Sequence, residues 1–303
     1  MNTSPNMNQR MDEHLPFFGL PEFDEGNFRV LSIPWDDSSS YQKGASEAPS
    51  KIIKATDGYL YESLTEDLTD ISEKYVYEDL GEIELEGEQF NDLIEKVDKK
   101  VKKDYREDAV YLFLGGDHSI TYPIMNAFEE YISDDFGIIQ FDAHPDLYDE
   151  LDGDKYSHAS PFRRIIEDGI IDSKNLIQIG IRASTKEQRA YAQKNDIKQF
   201  SVNDISKLKN LDIGFKKAYI SIDLDVLDPA FAPGVGNPEP GGFSTRELIE
   251  LVKSLDVEVK AFDIVEYNPK KDTSKITAYA AAKLIKEILG LNFKRDFSRD
   301  SFS

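Results

Sequence analysis

Short apolar runs alternate with longer amphipathic stretches along this chain, and that alternation restricts the fold more than any other feature. The runs at residues 28–33, 75–80, 109–114, 136–140, 176–181, 218–222 and 259–265 have the length and apolar content of buried strands. The stretches between them have a helical period. Residues 90–105 place Leu93, Ile94, Val97 and Val101 on one face, with Lys99, Lys100, Lys102 and Lys103 on the solvated side. Further helices are predicted to start near Pro49 and Pro161 and to cover 120–131, 185–194, 244–255 and 277–289, with a turn beginning over 201–208. Ser244 or Thr245 serves as an N-cap, with Glu247 in the first turn. Strands joined by helical crossovers pair in parallel, so the pattern predicts an α/β fold with one mainly parallel sheet and helices on both faces. No composition shift or internal repeat marks a second domain. The expected organisation is a flexible tail over residues 1–16 and a single domain over 17–303.

Four of the predicted strands end in polar groups. The run at 136–140 leads into Phe141-Asp142-Ala143-His144-Pro145-Asp146, where Pro145 cannot continue a strand. Alternation on an extended chain would put Asp142, His144 and Asp146 on one side. The run at 109–114 breaks at Gly115-Gly116-Asp117-His118-Ser119, 218–222 ends in Asp223-Leu224-Asp225, and 259–265 ends at Glu266. Open α/β sheets bind ligands at these carboxyl ends. Buried unpaired charges are costly, so a shared purpose explains four such ends better than chance does. The candidate metal ligands are His118, Asp142, His144, Asp146, Asp223 and Asp225. Four carboxylates balance two divalent cations, and this oxygen-rich set suits a hard metal such as Mn²⁺. Two cations sharing a water lower its pKa towards neutrality, which is the chemistry of a hydrolase. His158, in the polar loop 147–161, is surplus to the ligand set and is a natural proton shuttle. Glu266 is placed to clamp a cationic group of a substrate. The polar stretch 36–41, with Gly44 and Pro49 after it, is long enough to be a functional loop. The fourth histidine, His14, lies in the tail and is assigned no role.

Composition narrows the setting. The chain has 303 residues and no Cys, which excludes disulfides and thiolate chemistry and makes the cytoplasm the simplest compartment. A net charge of −22 argues against a nucleic-acid partner and is compatible with a cationic substrate, although most of it serves as a solvated surface. No apolar run is long enough to span a bilayer, so no membrane partner is expected.

In combination, these motifs resemble the ureohydrolase family of arginases and agmatinases. The resemblance is carried by Gly115-Gly116-Asp117-His118-Ser119, Asp142-Ala143-His144-Pro145-Asp146 and Ser221-Ile222-Asp223-Leu224-Asp225-Val226-Leu227-Asp228-Pro229. The segment from Ala232-Pro233-Gly234 through Pro240-Gly241-Gly242 and the stretch Asp263-Ile264-Val265-Glu266-Tyr267-Asn268-Pro269 add to it. It implies a three-layer α/β/α arginase/deacetylase fold and two Mn²⁺ per subunit. One ion would be held by His118, Asp142, Asp146 and Asp223, the other by Asp142, His144, Asp223 and Asp225, with Asp142 and Asp223 as bridges. It also implies His158 as shuttle, Glu266 as substrate-binding carboxylate, and a homo-oligomer, trimer or hexamer. One departure is Ala159, where many members have Gly.

The expected activity is hydrolysis of a guanidino compound to urea and an amine, with agmatine as the preferred substrate. Tyr148 stands where arginases resemble one another in having Asn, and it lacks the amide donor an α-carboxylate would use. The segment Gly236-Asn237-Pro238-Glu239-Pro240-Gly241-Gly242 looks like the agmatinase version. Arg163 and Arg164, shortly after His158, read first as a solvated helix face, but either could reach the pocket mouth and favour arginine or guanidinobutyrate. Guanidine hydrolysis is a further alternative, and a catalytically silent metal-binding regulatory relative is a rival of a different class. A single-zinc deacetylase of the same fold is disfavoured by the intact segment ending in His118.

Overall fold

The apolar runs pair as the alternation predicts. In the computed structural model, which describes residues 15–293 except 209 and 210, they form one eight-stranded sheet. Its strands are β1 (Phe28–Ile33), β2 (Tyr77–Glu82), β3 (Val110–Gly115), β4 (Phe136–Phe141), β5 (Leu176–Ile179), β6 (Lys198–Phe200), β7 (Lys217–Asp223) and β8 (Glu258–Val265). Every pairing is parallel, in the order β2-β1-β3-β8-β7-β4-β5-β6.

Alternating side chains feed two apolar layers. Val30, Leu112, Ile139, Ile220 and Phe262 pack against Ile52, Leu248, Val252, Ile285 and Ile288 of helices Ala48–Ala55, Thr245–Ser254 and Ile276–Leu291. On the other face Leu31, Phe113, Ile138, Tyr219 and Ala261 meet Leu93, Val97, Ile124, Phe128, Phe162 and Ile165 of helices Phe90–Asp104, Thr121–Phe128 and Pro161–Glu167. The arrangement is therefore a three-layer α/β/α sandwich. Ser244 caps its helix in a reciprocal box with Glu247, as the sequence predicts. Among the described residues no helix is long and apolar enough to cross a membrane.

The differences from the sequence reading are local. The edge strand β6 was not expected, because Lys198-Gln199-Phe200 is too short and polar to show a period; pairing with Ile177, Gln178 and Ile179 makes it a strand. The helix expected over 120–131 stops at Phe128 and tightens into a 3₁₀ turn over Glu129–Tyr131. Most of the tail expected over 1–16, His14 included, lies outside the described residues. At its end the Leu15 carbonyl accepts from the Gly58 amide at 2.7 Å, and Phe17 and Phe18 just beyond are buried. Asn292 is buried and bonds Val259 through both its amide oxygen and its amide nitrogen; residues 294–303 lie outside the described residues.

The strand order places β3, β8, β7 and β4 side by side in the middle of the sheet. Their carboxyl ends are the four polar strand ends of the sequence. Connections that are far apart along the chain thus deliver His118, Glu266, Asp223 and Asp142 to one edge.

Candidate metal centre

Local backbone chemistry decides how each side chain arrives. After β3 the chain turns at Gly116, where an added Cβ would lie 1.7 Å from the Trp35 carbonyl oxygen. Only glycine lets the two backbones approach this closely. The Asp117 amide then donates to the Trp35 carbonyl at 2.8 Å, and the Glu266 amide to the Gly116 carbonyl at 2.9 Å. His118 follows in a 3₁₀ turn capped by Asp117, whose side chain accepts from Ser119 N–H.

After β4 the expected extended alternation fails. The strand ends at Phe141, and Asp146 has φ +50°, in the left-handed region. A turn, not a strand, brings Asp142, His144 and Asp146 together. Asp142 Oδ1 accepts the His144 amide at 2.6 Å, and Asp225 Oδ1 accepts the Ala143 amide at 3.0 Å. Glu266 is likewise left-handed, with φ +61°. Such a backbone costs about 1–3 kcal/mol and persists only where its surroundings over-determine it. Here the Glu266 amide is tied to Gly116, and its Oε1 accepts the His118 amide at 3.0 Å.

All six predicted ligands converge. His118 Nδ1 lies 3.1 Å from Asp142 Oδ2, 3.0 Å from Asp146 Oδ2 and 3.3 Å from Asp223 Oδ2. His144 Nδ1 lies 2.9 Å from Asp225 Oδ2 and 3.6 Å from Asp142 Oδ1. Two groups with metal-binding spacing result, His118–Asp142–Asp146 and Asp142–His144–Asp225. Asp142 is common to both and turns one oxygen to each.

The hydrogen bonds around His118 test whether a cation belongs there. Asp263, buried in the middle of β8, is ringed by donors: Thr121 Oγ1 at 2.7 Å, Tyr219 Oη at 2.6 Å and Ser221 Oγ at 2.8 Å. Ser221 therefore gives its proton to Asp263 and accepts at Oγ from His118 Nε2, 2.8 Å away. That leaves a lone pair on His118 Nδ1, a buried atom without a hydrogen-bond partner, facing three carboxylates. Such a lone pair among anions is repulsive unless a cation sits between them. Metal-bound histidines show this pattern, with the second nitrogen donating to a fixed acceptor.

The charges agree. Burial pushes Asp223 well up, aided by Asp225 and Asp142; it raises Asp225; and with Asp142 it lifts Asp146 to about 6. At His118 burial opposes the charged form, but the neighbouring carboxylates of Asp142, Asp146 and Asp223 outweigh it and favour the protonated ring. A centre that takes up protons when no other cation is present is one that a divalent ion can discharge. The mixed oxygen and nitrogen donors fit a first-row divalent metal.

His158 and Glu266 stand beside this centre. His158 Nδ1 is 3.1 Å from Glu266 Oε1, and Nε2 is 2.8 Å from Ser40 Oγ and 3.3 Å from the Ser40 amide. Ser40 belongs to the 36–41 loop that the sequence marks as functional. Burial lowers the His158 pKa, but the hydrogen bond and charge of Glu266 prevail and raise it to about 9, while Glu266 is held down in return. A raised histidine stabilises the fold fully below its ordinary value of 6.5 and loses that contribution as pH climbs through about 9. The stability difference between metal-free wild type and His158→Ala should therefore shrink between about pH 6 and about pH 10. Urea unfolding at both pH values measures it; a constant difference would show that the pair is not coupled.

A cavity of about 480 Å³ opens above these groups. Asp146, Asp223, Asp225, His158 and Glu266, all buried, and half-buried His144 line its floor. Ser40, Tyr148, Ser184, Thr185 and Asn237, which are half-buried or exposed, line its upper part. Arg163 and Arg164, offered by the sequence as mouth residues, do not line it. Arg163 pairs with Glu167 at 2.8 Å and lies over the Tyr191 ring, and Arg164 pairs with Glu167 at 2.7 Å and Asp149 at 3.1 Å. Their own helix and the neighbouring acids hold them away.

The sequence assigns no individual role to Ser40, Ser221, Asp263, Gln140 or Gln178. Four of these were detectable as polar interruptions in buried strands (Phe-Gly-Ile-Ile-Gln-Phe, Leu-Ile-Gln-Ile, Tyr-Ile-Ser-Ile-Asp and Ala-Phe-Asp-Ile-Val), since such residues are seldom buried without a partner.

Comparison with known proteins agrees with this geometry. The arginase family profile matches residues 26–290. Arginase 1 of Oryza sativa subsp. indica is 39% identical over 86% of this chain and 79% of its own length. The agmatinase of Bacillus subtilis is 32% identical over 89% of this chain and 93% of its own. Among solved structures, proclavaminate amidino hydrolase from Streptomyces clavuligerus superposes with a TM-score of 0.83 at 28% identity, covering 92% of this chain and 97% of that one. The chain belongs to the arginase family of ureohydrolases, which hydrolyse guanidino compounds.

Proposed function

We propose that this protein hydrolyses arginine to ornithine and urea, with two Mn²⁺ held by His118, Asp142, His144, Asp146, Asp223 and Asp225. The carrying observation is the charge layout of the cavity: acids lie in its floor, and among the described residues no Lys, Arg or further acid lines its upper part. The guanidinium is drawn to the floor, where Glu266 Oε2 is the carboxylate oxygen not occupied by His118 and His158. An α-carboxylate at the other end needs neutral donors. Ser184, Thr185 and Asn237 offer them, and Ser184 Oγ accepts from Arg189 Nε at 2.7 Å, which polarises its own hydroxyl. Thr185 caps helix Lys186–Lys194, so the positive end of that helix lies at the cavity wall. The identity of 39% to an arginase, against 32% to an agmatinase, favours the same reading.

When bound, the two cations supply a water that is acidic enough to attack at neutral pH and stabilise the charge that develops. The chain's own part is to orient the guanidinium through Glu266 and to manage protons through His158. The departing nitrogen must gain a proton, and the His158 ring, fixed between Glu266 and Ser40, is placed to deliver it.

Agmatine is the second reading. It is favoured by Tyr148, which lines the cavity without an amide donor, and by the Gly236–Gly242 segment. Against it, no acid in the upper lining is available to meet the ammonium group. Urea release by the Mn²⁺-loaded protein on arginine, agmatine, guanidinobutyrate and guanidine separates the readings. Arginine should give the highest kcat/KM, with guanidinobutyrate ahead of agmatine because it keeps the carboxylate. A buried carboxylate without donors loses several kcal/mol, so discrimination on the order of 10²-fold is within reach. Agmatine ahead by tenfold would reverse the substrate assignment and leave the ureohydrolase chemistry in place.

A further inference from the structure

Three glutamines on neighbouring strands form a hydrogen-bonded chain that ends at the candidate metal centre. Gln140 on β4 is in register with Gln178 on β5, and Gln178 with Gln199 on β6. Partners in parallel register project from the same face of the sheet. Gln140 and Gln178 are fully buried, and Gln199 at the sheet edge is half-buried. Gln199 Nε2 donates to Gln178 Oε1 at 2.6 Å, and Gln178 Nε2 donates to Gln140 Oε1. Gln140 Nε2 donates to Asp142 Oδ2 at 2.6 Å.

Each buried amide can point only one way. Gln140 Nε2 also faces the His144 carbonyl at 3.1 Å, and Gln178 Nε2 the Pro145 carbonyl at 2.6 Å. A carboxylate and two backbone carbonyls accept but cannot donate, so the nitrogen must face them. All four N–H groups of the two buried amides are then used. Their dipoles run head to tail, with the positive ends directed at Asp142, and such chains strengthen one another in a low-dielectric interior.

We propose that Gln140 and Gln178 are positioning residues that set the metal affinity of the centre, with Gln199 extending the chain to the sheet edge. They act on Asp142, the carboxylate common to both ligand groups, and on the carbonyls of His144 and Pro145, which directly precede the left-handed Asp146. Glutamines that only satisfied one another would not need to end on a ligand and on the turn that carries two more. The inference rests on the metal reading given above.

Titrating metal-free protein with Mn²⁺ by calorimetry tests it, alongside thermal unfolding of the same metal-free samples. Gln178→Met keeps the side chain's length and removes its donors. It should raise the Mn²⁺ Kd by about 10- to 100-fold, the usual effect of losing a partner that orients a ligand. Gln199→Met cuts the chain one link further out and should weaken binding less, in the same direction. If Gln178→Met fails to fold, Gln199→Met decides alone, because its site is only half-buried. Variants that bind Mn²⁺ as the parent does, while unfolding at lower temperature, would reduce the chain to a structural role and overturn the inference. A parent that binds no Mn²⁺ would overturn both this inference and the metal reading.

Discussion

Asp142→Ala should purify with neither metal ion and without measurable urea release. Asp142 is the residue that both candidate ligand groups share, with Oδ2 3.1 Å from His118 Nδ1 and Oδ1 3.6 Å from His144 Nδ1. Its removal deletes one anion from each group and one carboxylate from beside each imidazole. Because Asp142 belongs to both groups, the loss should not be confined to one site. His144→Ala offers the contrast. It takes one nitrogen from the Asp142–His144–Asp225 group and leaves His118–Asp142–Asp146 intact, so one ion should weaken far more than the other. Asp223→Ala should fall on the side of Asp142→Ala if Asp223 is the second bridge: its Oδ2 faces His118, while its Oδ1 accepts the Asp225 amide at 2.8 Å. Activity should follow metal content, because unassisted water has a pKa of about 15.7 against about 7 when activated by a metal. Elemental analysis of the purified variants, with circular dichroism to confirm folding, measures this. Two full equivalents of Mn²⁺ in Asp142→Ala would end the bridging assignment.

What the sequence disclosed depended on which physical signal carried it. Parallel strands buried on both faces must be apolar throughout, so β1, β3, β4, β7 and β8 were visible as runs, and the crossover helices between them as periods. β6 was invisible because a three-residue polar edge strand takes its identity from its partner. The ligands were legible because charge at the end of an apolar run is conspicuous. Their geometry was not. Asp146 reaches the centre through a left-handed turn, and no periodicity encodes a single positive φ at a non-glycine residue. The supporting residues were harder still. Asp263, Ser221, Gln140 and Gln178 lie in one cross-strand row, with Asp263 opposite Ser221, Ser221 opposite Gln140 and Gln140 opposite Gln178. That row exists only once strand order and register are known, because its members are far apart in the chain. The same limit applied to Arg163 and Arg164: proximity to His158 in sequence suggested the mouth, whereas helix geometry and Glu167 turn them elsewhere.

His158→Ala should keep its metal and lose most of its turnover. His158 belongs to neither ligand group, and its two nitrogens are already committed to Glu266 Oε1 and to Ser40. The substitution therefore leaves the ligand set complete, and Mn²⁺ content should match the wild type. What it removes is an imidazole of the cavity lining that is not a candidate ligand, and with it the proposed proton donor to the departing amine. Loss of a positioned general acid costs roughly 10²–10⁴-fold in rate. The deficit should lie mainly in kcat, because the group proposed to hold the guanidinium is Glu266 and not the ring. Some rise in KM is expected as well, since Glu266 loses a partner that keeps its carboxylate charged and oriented. Ser40→Ala separates the two roles of the environment. It removes the hydroxyl at Nε2 but spares the ring, so a partial loss with a shifted pH profile would mean that Ser40 sets the protonation of His158. Steady-state kinetics across pH, with metal analysis of each variant, measures these effects. Normal turnover in His158→Ala would show that the proton travels by another route, and loss of manganese from that variant would make His158 part of the metal centre itself.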